Sequence, residues 1–302
     1  MNFQFWSKNI AMRHNAMSYW NTSMETKVRM RDIQIVWTAK IFRMLGVINY
    51  GRRLIEGIER TRFGAAIFGS ILGYRRSFRT LGEAERAVKP YARGGHENPK
   101  NADLQLQLNR VAKPSDYAAF YYLRDRVPEI KRIFDLGGSV GNLYYCYRDY
   151  LPLEADAVWT VYDLPENILL GRKLASDRNA ANLQFTDDLQ QANGVDLFIA
   201  SGSLHYFDKP IPEFIENIGQ RPKYILINRA PLTEGPEFAV VQDAGFIRVA
   251  CKLYNRSKLI ADFKRLGYGL RGEWQAAELG LPVLDRPSSS VSAYTGLWLE
   301  RL

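Results

Sequence analysis

Cysteine and histidine are scarce in this chain of 302 residues, which has only Cys146 and Cys251, and His14, His96 and His205. The cysteines lack C-x-x-C spacing, so neither a zinc site nor a disulfide framework is expected. A reducing, cytoplasmic setting follows as the simplest expectation. Long apolar runs are also missing. Ile33 to Tyr50 is interrupted by Lys40 and Arg43, a poor membrane span. Met1 to Trp20 is polar and aromatic, without the apolar block and small residues of a secretory leader. No internal repeat or low-complexity tract is present. What is there is ordinary for a globular protein with a real core: 46% apolar and 24% charged residues.

The charge is unevenly spread. Residues 1–130 hold 22 Lys and Arg against 11 Asp and Glu, a net of +11. That leaves 19 against 21 for residues 131–302, a net of −2. The excess positive charge therefore precedes residue 131, and it predicts an anionic partner. Three expectations fit: a phosphorylated substrate, peripheral contact with an acidic membrane surface, or nucleic acid. The last is disfavoured, because no RNA-binding module and no run of clustered Lys and Arg is present.

In chain order, residues 1–25 have no clear period and read as a mobile lead. Residues 26–60 read as a helix, with Ile33, Trp37, Ile41, Met44, Leu45 and Ile48 at three- and four-residue spacings. Its basic residues suit either an anionic membrane or an ordinary packed helix with a solvated face, and the second is favoured. A short helix is expected over Thr80 to Val88, a loop over Pro90 to Asn101 and a further helix over Asn101 to Arg110. Pro114-Ser115-Asp116 predicts a helix start, and Pro128 its end. From there strands alternate with helices. Strands are expected at 132–136, 157–163, 183–186, 195–200 and 224–228, with helices at 143–150, 165–178 and 212–218. Two strand-like stretches, 238–241 and 246–253, precede a helix over 255–266 capped by Gly267. Tyr268 to Trp274 and Ser292 to Leu299 read as final strands. This is the pattern of an α/β protein with a doubly wound, mostly parallel, Rossmann-like sheet. The expected domains are a lead (1–25), a basic helical lid or substrate region (26–114), and a ligand-binding sheet domain (115–302).

The chain is organised around Asp135-Leu136-Gly137-Gly138-Ser139-Val140-Gly141, a strand running into a glycine-rich turn and a helix. Gly137 and Gly141 admit a ligand close to the backbone. In an open parallel sheet, ligands bind at the carboxyl ends of the strands. Three acidic positions fall at such ends: Asp135, Asp163 (followed by Leu164-Pro165), and Asp187 with Asp188. Asp163 is placed to accept from two ribose hydroxyls, and Asp187 or Asp188 from an adenine amino group. A nicotinamide cofactor needs the turn for its pyrophosphate. A carboxylate at Asp135 opposes phosphate and suits an ammonium. S-adenosylmethionine, with an ammonium, a sulfonium, a ribose and an adenine, fits that sign.

These pieces, with Val161-Tyr162-Asp163 and the stretch Asp196 to Phe207, resemble class I S-adenosylmethionine-dependent methyltransferases over about residues 115–302. The resemblance implies that Asp135, Gly137, Gly138, Ser139, Gly141, Asp163, Leu164, Asp187, Asp188, Ser201 and Gly202 contact the cofactor. The usual motif has three alternating glycines, and here Ser139 stands at the middle one, which puts the path of the turn in question. Gly73 to Phe78 with Glu83-Ala84, Ala200 to Tyr206, Tyr254-Asn255-Arg256 and Gly267-Tyr268 with Trp274 resemble, more narrowly, a methyltransferase family associated with bacterial surface-polysaccharide biosynthesis. That resemblance implies methyl transfer without defining the acceptor, and a sugar hydroxyl is the expectation.

His205 follows the fourth strand, where the resemblance places the methyl group and the acceptor. Its imidazole could take a proton from an attacking hydroxyl, against the plainer and favoured reading of a packed or orienting ring. Asp208 is a weaker candidate base. His96 reads either as a cover over the site or, in preference, as an exposed loop histidine. Asp116 and Tyr117 read as pocket-closing residues, or Ser115 and Asp116 as helix caps. No metal-ligand cluster is recognisable, since Asp187-Asp188 alone is a thin case. The alternatives are a nicotinamide-dependent oxidoreductase and a catalytically idle partner that keeps the fold.

Overall fold

β2 (Arg132–Leu136) lies at the middle of the main sheet, and its alternation divides the core. Side chains of a strand point alternately to opposite faces. Ile133 faces the layer of Phe120, Leu123, Leu143, Trp159, Ile168 and Trp298. Phe134 and Leu136 face Phe198, Ile211, Ile215, Leu259, Phe263 and Leu297. Burying each such side chain contributes roughly 1.5–3 kcal/mol. The computed structural model describes residues 77–88, 96, 111–243, 248–281, 283 and 286–302. The lead and the basic helix expected over 26–60 lie outside these residues, as does the helix expected over 101–110. The described residues all fall in one unit, Gly57–Leu302.

The main sheet has seven strands in the order β10-β11-β6-β5-β2-β3-β4. They are β2, β3 (Val158–Tyr162), β4 (Leu183–Thr186), β5 (Leu197–Ser201), β6 (Tyr224–Ala230), β10 (Tyr268–Ala276) and β11 (Tyr294–Arg301). β4 to β6 pair in parallel through β3, β2 and β5. β11 runs antiparallel to both β6 and β10. The sheet is thus mostly parallel and Rossmann-like, as the alternation predicts. Helices α2 (Pro114–Leu123), α3 (Asn142–Tyr147) and α4 (Pro165–Asp177) cover one face. Helices α5 (Ile211–Glu216) and α6 (Arg256–Arg265) cover the other. Chain order reverses between β2 and β5, the place where doubly wound sheets bind ligands. Among the described residues, no helix is long and apolar enough to cross a membrane.

Local signals behave as their chemistry dictates. Asn255 caps α6, its side chain accepting from Lys258 N at 2.7 Å, and Gly267 takes φ 87° just past the helix. Asp116 accepts from Lys113 N at 2.9 Å and so caps α2.

The two strand-like stretches that precede α6 are strands, and they belong to a second sheet. Residues 238–241 and 248–253 do not extend the main sheet. They form β8 (Phe238–Asp243) and β9 (Arg248–Asn255), which pair with β1 (Ser77–Phe78) and β7 (Leu232–Thr233) in a separate sheet. Its alternation is two-sided. Phe238 and Val240 pack with Leu281 and Val283, while Ala239 and Val241 pack under Leu81 and Ala84 of α1 (Leu81–Val88). The short helix expected over Thr80 to Val88 is present as α1, whereas Ser77–Phe78, within the region expected to be helical, form a strand of this sheet. Strand period was visible in 238–241, but not the sheet it joins, because that partner is remote in sequence.

Candidate functional site

The turn after β2 is held from both neighbouring strands. Gly137 N donates to Tyr162 O at 2.8 Å, and Ser203 Oγ donates to the Leu136 carbonyl. Gly137 has φ 72°, and a Cβ there would lie 2.5 Å from Ser203 Cβ, so this position admits only glycine. Ser139 adopts φ 55°, the left-handed conformation its motif glycine would supply. A non-glycine residue pays of order 1 kcal/mol for this. The offset is visible: Ser139 N donates to Asp163 Oδ2 at 2.7 Å. The path of the turn therefore survives the substitution that put it in question.

Asp135 does not face the ligand edge. It shares its side of β2 with Ile133, so its carboxyl enters the core beneath the turn, 1% exposed, and accepts from Trp159 Nε1 at 3.1 Å. Burial pushes its pKa up to about 7; the indole bond opposes this and the nearby Asp163 charge reinforces it. Buried there, the Asp135 carboxyl is not placed for the direct contact with a ligand ammonium that the sequence suggests. Gly138 must stay small for this reason, since a Cβ there would run into the Asp135 carboxyl.

Asp163 is the carboxylate that the turn presents, and it is half-buried. Its Oδ1 accepts from Leu164 N at 2.8 Å and Asn167 Nδ2 at 2.6 Å, in addition to the Ser139 bond on Oδ2. A carboxylate offers about four lone-pair sites. Three are occupied, so one remains for a ligand hydroxyl rather than the expected two. Leu164 joins through its backbone amide, with its side chain 43% exposed. Asp187 and Asp188 are both exposed at the end of β4. Asp188 Oδ1 accepts from Gln190 N at 2.9 Å and caps a short turn, which ties this carboxylate to the backbone that follows it.

Across the switch point, Ser201 ends β5, and Gly202 follows it with φ 72°. A Cβ at Gly202 would meet nothing within 4 Å, so the space beside it is open. His205 lies beyond and is only 3% exposed. Burial, with a smaller effect of His96, lowers its pKa to about 3, and its Nδ1 has no hydrogen-bond partner. A base works best with a pKa near the working pH, so a ring held low by burial is neutral and a weak proton acceptor. Asp208 instead holds Lys252 Nζ at 3.1 Å.

His96 reaches this edge from a distant part of the chain. Its carbonyl accepts from Asn167 Nδ2 at 3.5 Å, and its ring packs 4.2 Å from that of Tyr206. Tyr206 in turn donates to Gln242 Oε1 of β8 at 2.6 Å. This placement fits the covering role rather than the exposed-loop reading. Three further polar atoms here are buried without partners: Ser139 Oγ, Asn142 Oδ1 and Asn167 Oδ1. Such atoms are rare unless something completes them.

Sequence reading missed Asn167 and Arg229. Arg229, next to the last residue of β6, has φ 55° and 5% exposure and is bonded to Ser115, Ser201 and Asp116. The available signal was Asn228-Arg229 within an otherwise apolar strand, because buried polar residues carry more information than buried apolar ones.

No family model matches the sequence, and no characterised protein matches it at the sequence level. Solved structures do resemble the fold. An O-methyltransferase of neocarzinostatin biosynthesis, solved with S-adenosyl-L-homocysteine and 1,4-dihydroxy-2-naphthoic acid, is 17% identical with a TM-score of 0.38. That likeness covers 62% of this chain and 53% of that one, so this chain matches about half its length. The N-terminal domain of EvdMO1 with S-adenosyl-L-homocysteine is 15% identical over 63% of this chain and 81% of that one, with a TM-score of 0.40. A SAM-dependent methyltransferase from Aquifex aeolicus is 11% identical over 68% and 99%, with a TM-score of 0.45. Likeness at this level carries no argument about chemistry, which must come from the residues.

Proposed function

We propose that the chain is an S-adenosylmethionine-dependent methyltransferase acting on an oxygen nucleophile, with a sugar hydroxyl as the acceptor class. The observation that carries the reading is the Ser139–Asp163 bond. It commits an amide of the glycine turn to a carboxylate and sets that carboxylate beside the turn. A dinucleotide needs such amides for its pyrophosphate, and a carboxylate there repels phosphate. S-adenosylmethionine carries an ammonium and a sulfonium against a single carboxylate, a net positive charge that a protein carboxylate attracts.

The residues fit that cofactor. Asp163 retains one lone-pair site for a ribose hydroxyl, and the unpartnered Ser139 Oγ, Asn142 Oδ1 and Asn167 Oδ1 lie at the turn and the helix behind Asp163. Asp187 is the acceptor for an adenine amino group. When bound, S-adenosylmethionine supplies an activated methyl group on a sulfonium that leaves readily. The chain then has to align the acceptor and exclude water. His96, Tyr206 and Gln242 form the cover on that side. His205 serves as a neutral ring in its packing, not as a base. The choice of a sugar hydroxyl on an anionic carrier rests on the charge of residues 1–130 and on the motif resemblance.

Calorimetry with S-adenosylhomocysteine and, separately, NADH tests the reading. Binding of S-adenosylhomocysteine alone is expected. Binding of NADH alone would turn the assignment to an oxidoreductase, and binding of neither to an idle member of the fold.

A further inference from the structure

The carboxyl ends of β5 and β6 carry a device that cofactor binding does not explain. Arg229 holds a left-handed backbone with a buried guanidinium. Strain of this kind persists only where the surroundings over-determine it, and it gathers at functional sites. Three groups fix the side chain on one side. Nε donates to Ser115 Oγ at 3.0 Å, Nη2 is bonded to Asp116, and Glu278 Oε1 lies 3.9 Å from Nε. Ser115 Oγ in turn donates to Glu278 Oε1 at 2.5 Å. On the other side, Nη1 donates to Ser201 Oγ at 3.3 Å.

That last bond orients a proton. A serine hydroxyl has one proton and two lone pairs. Arg229 occupies a lone pair of Ser201, so the Ser201 proton is directed elsewhere. Among the described residues no acceptor takes it. Ser201 is half-buried beside Gly202, where the space is open. A hydroxyl already accepting from a cation is a stronger donor, and it favours an oxygen lone pair over a cationic group.

We infer that Arg229 is a positioning residue that acts through Ser201, aiming the Ser201 hydroxyl as a hydrogen-bond donor at a lone-pair oxygen of the methyl acceptor. This rests on the methyltransferase reading and names how the acceptor end of that site is recognised. Asp116 and Glu278 balance the guanidinium charge, so Arg229 does not bind the acceptor itself. The ligand class is an oxygen-rich acceptor, with a hydroxyl, carbonyl or carboxylate beside the reacting oxygen.

The test is a double-mutant cycle of Ser201→Ala and Arg229→Lys. Labelled methyl transfer from S-adenosylmethionine is measured to the cell-extract fraction that the wild-type protein labels, titrated to separate half-saturating acceptor concentration from maximal rate. S-adenosylhomocysteine affinity is measured in parallel by calorimetry. Each single variant should raise the half-saturating concentration about tenfold, the effect of losing one charge-assisted hydrogen bond. Cofactor affinity should change less than the half-saturating acceptor concentration in each single variant, and the double variant should match Ser201→Ala within about twofold, because one acts through the other. Ser201→Thr, which keeps the hydroxyl, should restore most of the affinity for acceptor. Multiplying effects, or loss confined to cofactor affinity, would overturn the inference. If Arg229→Lys does not fold, Ser201→Ala against Ser201→Thr decides: equal half-saturation for both overturns it. A wild-type protein that neither binds S-adenosylhomocysteine nor transfers label overturns the methyltransferase reading itself, and this inference with it.

Discussion

Ser139 N donates to Asp163 Oδ2 at 2.7 Å, tying the strained residue of the glycine turn to the carboxylate at the end of the next strand. The bond couples two ligand-facing segments that are separate in sequence. Asp163→Ala should therefore do two things at once. S-adenosylhomocysteine affinity should fall at least about tenfold, as expected for losing a charged hydrogen-bonding group, and stability should fall by about 1–3 kcal/mol. Calorimetry and urea titration report each. A stability loss with unchanged affinity would confine Asp163 to holding the turn.

Ser139→Gly isolates the strain. Glycine takes φ 55° without a Cβ penalty, and its amide still reaches Asp163. The variant loses the Ser139 Oγ group and should bind S-adenosylhomocysteine about threefold to tenfold more weakly, while unfolding at an equal or higher urea concentration. Ser139→Val, β-branched in a left-handed position, should lose both turn and binding.

Asp135 and His205 give opposite pH dependences. Asp135 rises from an ordinary 3.8 to about 7 on folding, mainly by burial. The folded state then holds that proton more tightly, so its contribution is full below about pH 4 and is lost as pH climbs to 7. His205 falls from 6.5 to about 3, mainly by burial. Its contribution is present above pH 6.5 and is lost as pH drops toward 3. Melting temperatures between pH 4 and 7 separate the two. Asp135→Asn should gain on the wild type as pH rises, and His205→Asn should gain as pH falls. Parallel curves for either variant would show that its titration is not linked to folding.

The two carboxylates after β4 should part company. Asp188 caps a turn through Gln190 N, whereas Asp187 makes no hydrogen bond among the described residues. Asp187→Ala should weaken S-adenosylhomocysteine by about tenfold while Asp188→Ala leaves it within about threefold. The reverse order in calorimetry would exchange their roles.

Asp116 balances Arg229 inside the protein, with both side chains almost fully buried. Removing one partner of a buried pair leaves an uncompensated charge. Asp116→Ala should cost about 3–5 kcal/mol in urea titration. A loss below about 1 kcal/mol would mean that Glu278 alone suffices to hold the guanidinium.

The sequence by itself determined the parts governed by short-range chemistry. Short apolar and β-branched runs mark β2 to β6, prolines and caps mark α2, α4 and α6, and glycines mark the turn after β2. The alternation of Ile133, Phe134 and Asp135 also held the information that Asp135 enters the core, although its place in the motif suggested a ligand contact. Only the tertiary structure decided the rest. The separation of β8 and β9 into a second sheet depends on pairing with Ser77 and Phe78, more than 150 residues away in the chain. The covering position of His96 depends on Asn167 and Tyr206. The strain at Arg229 depends on Asp116, 113 residues earlier. No local pattern encodes such contacts, because hydrogen bonds and buried charges are satisfied by whatever the fold brings within about 3 Å. The chain order of those partners says nothing about their distance.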